Sequence, residues 1–195
     1  MTETQNNIAW DKKAFTRRFI GILNKHGILL DLDDMTDRFK LHRLLLIASK
    51  FGLPQVHEYI YFVEGPFAPD LAGDIEDIRL EISWRIEKNL IPRDDRKLVD
   101  ILYSTTGVPA SLKDICSIGI IPRSFRVKEF IEFVRDRSYE ELNILSSAID
   151  IYEFNKERGI NKEDIIEILM ELFPSDRELI ESLVNELIAK NIIKV

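Results

Sequence analysis

Apolar positions recur at intervals of three and four residues along most of the chain, which is the period of helices with one buried face. The spacing predicts a first helix from Asp11 to about His26, with Phe15, Phe19, Ile22 and Leu23 inward, Trp10 stapling its start and Gly27 ending it. A second helix is expected from Asp37 to Phe51. Its stripe is Leu41, Leu44, Leu45, Ala48 and Phe51, with Thr36 or Asp37 as N-cap and Gly52 as terminator. The period then changes. Tyr59-Ile60-Tyr61-Phe62-Val63 is aromatic and β-branched over a strand's length, and Gly65-Pro66 is expected to break that strand. A third helix follows from Asp70 to about Asn89, on Leu71, Ile75, Ile78, Ile82 and Ile86, closed by Leu90-Ile91-Pro92.

Shorter helices are expected over 94–103 and 112–121, separated by the loop Ser104-Thr105-Thr106-Gly107-Val108-Pro109, and another over Val127 to Arg137 with Phe130, Ile131, Phe133 and Val134 inward. The last third reads as three helices and a closing strand. Glu140 to Glu157 ends at Gly159; Lys162 to Phe173 is capped by Asn161; the third starts at Ser175 or Asp176 and reaches Lys190; Asn191 to Val195 is expected to pair as an edge strand. Three helices with a β end follow the winged-helix or helix-turn-helix order. The fold class expected is therefore mainly α with a minor β component, a helical bundle of winged-helix or helix-turn-helix-like modules. A boundary is placed between residues 1–138 and an acidic three-helix module, 139–195.

The most specific stretch is Lys40-Leu41, Leu44, the aromatic strand, and Gly65-Pro66-Phe67 followed by Pro69 and Leu71. This pattern resembles the YwgA-type family of archaea and bacteria and, more distantly, the Panacea domain of SocA-type antitoxins. The likeness covers about a fifth of the chain. It implies a small helical, winged-helix-like domain, and the family brings no established catalytic residues to carry over.

Composition narrows the partners. With 45% hydrophobic and 31% charged residues in 195, the chain can bury a core and keep a charged surface. No apolar run approaches the roughly 18 residues that span a bilayer. The start, Met-Thr-Glu-Thr-Gln-Asn-Asn, has no signal-peptide pattern, so no membrane contact and a cytoplasmic location are expected. The net charge of -7 is uneven: residues 139–195 carry 13 acidic against 6 basic side chains, and residues 1–138 carry 21 of each. DNA binding rests on Lys and Arg neutralising phosphates. The helix from Asp176 to Lys190 offers Arg177 and Lys190 against Asp176, Glu178, Glu181 and Glu186, which disfavours DNA for that module and favours protein.

Candidate chemistry is sparse. Cys116, the single cysteine, reads as a small buried hydrophobe, and the three histidines lack zinc-ligand spacing. Asp31, Asp33 and Asp34 lack the glycine and terminal Glu of a calcium loop, and Gly107 alone makes no phosphate loop; no metal or cofactor is expected. Acid–base candidates near the central motif are His42, read as a boundary residue, and His57 beside Glu58, read as an exposed pair, with Glu64 further on. These make no catalytic constellation, so a non-enzymatic regulatory or interaction protein that meets a protein partner or itself is expected. The alternative is a DNA-binding regulator or antitoxin-like protein. It would use Arg17, Arg18, Lys40, Arg43, Arg123, Arg126 and Lys128 on one face. Gly65, Pro66 and Phe67 join these as candidate interaction residues. So does Trp84, off the third helix's stripe, for which cover by a neighbouring helix is the commoner arrangement.

Overall fold

A computed structural model describes residues 11–62, 65–88, 121–122 and 124–195. Trp10, Glu64, Cys116, Arg123 and the segments 94–103 and 112–120 lie outside the described residues. In chain order the elements are α1 (Lys12–Lys25), α2 (Met35–Ser49), β1 (Ile60–Phe62), β2 (Gly65–Phe67), α3 (Pro69–Glu87), α4 (Val127–Val134), α5 (Tyr139–Asn155), α6 (Lys162–Leu172) and α7 (Arg177–Ala189), with a single 3-10 turn at Lys156–Arg158. The described chain is thus mainly helical with one small sheet.

Local chemistry sets the helix starts. Asp11 caps α1 by accepting from Ala14 N–H at 2.9 Å. Asp34 caps α2 through Thr36 N–H at 2.7 Å, so the helix starts at Met35, two residues before the expected Asp37, and Asp37 instead accepts from Asp31 N–H at 2.8 Å. Pro69 opens α3, where a missing N–H leaves no hydrogen bond unmade. Capping boxes start α5 (Ser138 with Glu141) and α6 (Asn161 with Asp164).

At the centre stands α2. Every residue from Leu41 to Ala48 is buried, so this helix has neighbours all round and not on one apolar stripe only. Its most extensive packing is against α5, while α1 packs on α3 and α6 on α7. The apolar core runs without a break from Phe15 on α1 to Ile193. An aromatic cluster fills the gap between α1, α2 and α4, with Phe130 5.8 Å from Phe19 and 5.9 Å from Phe51 between ring centroids.

Two expectations change. Gly65-Pro66 does not end the strand region but opens β2, antiparallel to β1, with Ile60 opposite Phe67, Tyr61 opposite Pro66 and Phe62 opposite Gly65. Residues 191–195 are not a strand. Asn191 takes a positive φ of 55°, Ile192 N–H donates to Leu187 carbonyl at 2.9 Å and Asn191 N–H to Ile188 carbonyl at 2.9 Å. That is a Schellman stop, which satisfies the last carbonyls of α7 and folds Ile192 and Ile193 back into the core. A strand there would forgo both.

Candidate functional site: an aromatic hairpin on a buried polar support

The hairpin is held from below by polar side chains at core positions. Arg43 is fully buried; its Nε donates to Asn143 Oδ1 at 3.0 Å and its Nη1 to the Pro66 carbonyl at 2.8 Å, and its guanidinium lies 5.4 Å from the Phe39 ring centroid. The guanidinium thus ties α2, β2 and α5 together. Gly65 belongs to the same contact. Its φ of +103° suits glycine alone, and a Cβ there would stand 2.6 Å from Asn143 Oδ1 and 3.1 Å from Ser147 Oγ. The glycine of the Gly65-Pro66-Phe67 motif is therefore required twice, by backbone conformation and by the closeness of α5.

His42 fixes the hairpin's outer side. It is buried, not at a boundary. Its Nδ1 accepts from Ala68 N–H at 3.1 Å and its ring stacks on Phe67 at 4.6 Å, while its carbonyl accepts from the Tyr59 hydroxyl at 3.2 Å. Burial first, then the nearby Arg43 charge, pushes its pKa down to about 3, so the ring is neutral and Nδ1 is free to accept. Phe67 in turn lies 6.1 Å from Phe39 and 5.6 Å from Phe62. Beyond this support the apolar strand turns outward: Ile60 is 52%, Tyr61 41% and Phe62 49% exposed.

A second polar group joins α1 to the start of α3. His57 is buried, which overturns its reading as an exposed pair with Glu58. Its Nδ1 lies 3.2 Å from Asp70 Oδ2 and its Nε2 3.3 Å from the Thr16 hydroxyl; that hydroxyl is also 2.9 Å from the Lys12 carbonyl. Lys12 Nζ bonds the same Asp70 oxygen at 2.6 Å. Burial lowers the His57 pKa against the pull of Asp70. For Asp70, burial acts upward, and the hydrogen bonds from Lys12 and His57 prevail and hold its carboxyl below the usual range. A hydroxyl, a ring and a carboxylate in line resemble a nucleophile relay. Yet Thr16 and His57 are sealed from solvent, so no substrate carbonyl reaches the hydroxyl.

Three of the candidate basic residues, Arg17, Arg43 and Arg126, are committed to neighbours. Lys13 pairs with Asp77 at 3.1 Å and Arg17 with Glu81, so together with Lys12 and Asp70 the basic side of α1 is a zipper onto the acidic side of α3. Arg18 and Lys40 are half-buried. Arg43 is interior, which removes it from any phosphate-binding surface. Arg126 bonds Glu129 at 2.8 Å and the Lys50 carbonyl at 3.1 Å, beside the Phe51 ring. Lys128 is open to solvent, 3.9 Å from Glu132. Trp84 is 52% exposed, one turn from the equally open Leu80, and none of the described helices covers it.

Periodicity overlooks Asn143, Ser147, Thr16 and Asp70 because it registers only apolar residues. A signal was present in α5: Asn143, Ser146 and Ser147 interrupt the run Leu142, Ile144, Leu145, Ala148, Ile149 at positions that cannot all face water. The chain matches no protein-family model, no curated protein and no solved structure.

Proposed function

We propose that this protein is a non-enzymatic interaction or regulatory module that binds another polypeptide through the β1–β2 hairpin. The observation that supports this most is the contrast within the hairpin: three consecutive apolar residues, Ile60, Tyr61 and Phe62, stand half out in water while the strand behind them is clamped by Arg43, His42 and the α5 face. Aromatic side chains on a rigid base bind with little loss of conformational freedom. A strand exposing such residues without a partner is also prone to aggregate. The winged-helix-like character of the modules and the kinship with YwgA-type proteins belong to this proposal, resting on the Lys40-Leu41 helix and the Gly65-Pro66-Phe67 turn.

The test is affinity capture with the full chain against a Phe62→Ser, Ile60→Ser double variant. Because both side chains are surface-exposed, the variant should keep the circular dichroism and urea midpoint of the parent. Loss of co-purifying polypeptides from the variant supports the reading; an identical set captured by both proteins removes it.

A further inference from the structure

The register of the hairpin continues past its two strands. Counting back from Ile60 opposite Phe67, Tyr59 falls opposite Ala68 and His57 opposite Asp70, so the ring and the carboxylate, 3.2 Å apart, close the hairpin at its base. The same carboxyl oxygen takes the Lys12 ammonium at 2.6 Å, and the far side of the ring meets the Thr16 hydroxyl at 3.3 Å. The base of the hairpin is thereby fastened to the start of α1 through one shared oxygen.

The protons of this group can be placed. Asp70 stays ionised, since the bonds from Lys12 and His57 outweigh its burial, and an ionised carboxylate only accepts. Nδ1 of His57 therefore carries the proton of the neutral ring, and Nε2 is left to accept from Thr16. That hydroxyl has one proton for two acceptors, Nε2 and the Lys12 carbonyl at 2.9 Å. A second proton on the ring resolves the conflict: Nε2–H donates to the hydroxyl oxygen, and the hydroxyl proton goes to the carbonyl.

Charge is then what remains unmatched. An imidazolium and an ammonium would share a single carboxylate oxygen; burial, and then the Lys12 charge, act against the second proton while Asp70 favours it. The other groups around the ring do not relieve it. Thr16 on α1 is uncharged, His42 on α2 is neutral, and the fields of Glu58, next in the chain, and of Asp74, one turn along α3, act on Lys12. The ring is 3% exposed and has no water to move into, whereas the Lys12 side chain is 41% exposed. Of the two cations, Lys12 is the one that can leave.

We propose that His57 is a proton-operated clasp: when the ring takes its second proton it keeps the Asp70 carboxylate, Lys12 swings out to water, and the start of α1 is unfastened from the base of the hairpin. The seam still holds Lys13 with Asp77 and Arg17 with Glu81, so α1 loosens at its first turn alone. The clasp is a property of the fold and stands apart from what the hairpin binds.

NMR on the full chain tests it, through the His57 ring nitrogens and the exchange of the Ala14 and Phe15 amides, which are bonded to Asp11 in the first turn of α1. Between about pH 7 and about pH 5 the ring should gain its second proton and the protection of those two amides should fall about fivefold, with α6 unchanged. His57→Gln can donate to Asp70 and accept from Thr16 but takes no proton, so its first turn should keep its protection. Lys12→Gln removes the competing cation from an exposed position, so the ring should titrate at higher pH than in the parent; this reading decides the matter if His57→Gln does not fold. Protection that holds while the ring titrates, an equal fall in His57→Gln, a ring midpoint unmoved in Lys12→Gln, or a ring that takes no second proton before the chain unfolds would each overturn the proposal.

Discussion

Acidification should destabilise this protein in part through one ring. His42 has an ordinary pKa of 6.5 and is held at about 3 in the fold. Between those values the unfolded chain binds a proton that the folded one refuses, so stability rises with pH across that window. The contribution is complete above about pH 6.5, falls as the pH drops toward 3, and levels off below it. From about pH 7 to about pH 4 the loss comes to about 3 kcal/mol, at about 1.4 kcal/mol per unit. Urea midpoints should fall by about 1.5 M if the slope is about 2 kcal/mol per molar. Other groups titrate here too. His57 is depressed and adds to the loss, as do the depressed carboxyls of Asp70, Glu76, Glu141 and Glu153 toward the acid end, whereas Asp74 and Asp150 are raised and oppose it. The ring is isolated by His42→Asn, whose amide oxygen can accept from Ala68 N–H as Nδ1 does. The variant gives up the stack on Phe67, about 1 kcal/mol at every pH, and should lose about 3 kcal/mol less than the parent on acidification. Equal losses in parent and variant would refute the assignment, as would a ring proton shift of His42 that titrates near pH 6.

Three further substitutions test the support of the hairpin and the end of the fold. Gly65→Ala should cost about 3 kcal/mol, since strain at φ +103° adds to the approach of Asn143 Oδ1; in an Asn143→Ala background the cost should be smaller, which a double-mutant cycle in urea measures. Arg43→Lys keeps the charge but loses the fork that spans Asn143 and Pro66, so a loss of about 3 kcal/mol is expected in the same assay. Asn191→Ala should lower stability by about 1 kcal/mol and Asn191→Gly should not, because the residue sits at positive φ in the stop of α7.

How much of this was legible from residues alone depends on whether the signal was local. The helices over α1, α3, α5, α6 and α7 follow from apolar spacing and from caps such as Ser138 with Glu141, which act within one turn. The aromatic strand was legible for the same reason. What was not legible depends on neighbours distant in sequence. Arg43 reads as a surface cation until α5, 100 residues away, supplies Asn143. His57 reads as exposed until Thr16 and Asp70 close over it. Arg17 reads as a candidate nucleic-acid contact until α3 brings Glu81 against it. β2 escaped because a glycine and a proline argue against a strand; here the glycine admits α5, and the proline faces the pair position that needs no N–H.

The claim on which the functional reading turns is that the outward side of β1 is occupied by another polypeptide in the cell. A photo-reactive amino acid placed at Phe62, and as a control at the exposed Met170 of α6, tests it in the cell that makes the protein. The account predicts a discrete cross-linked polypeptide from position 62 and none from position 170. No adduct at position 62, or the same adducts from both positions, would contradict it.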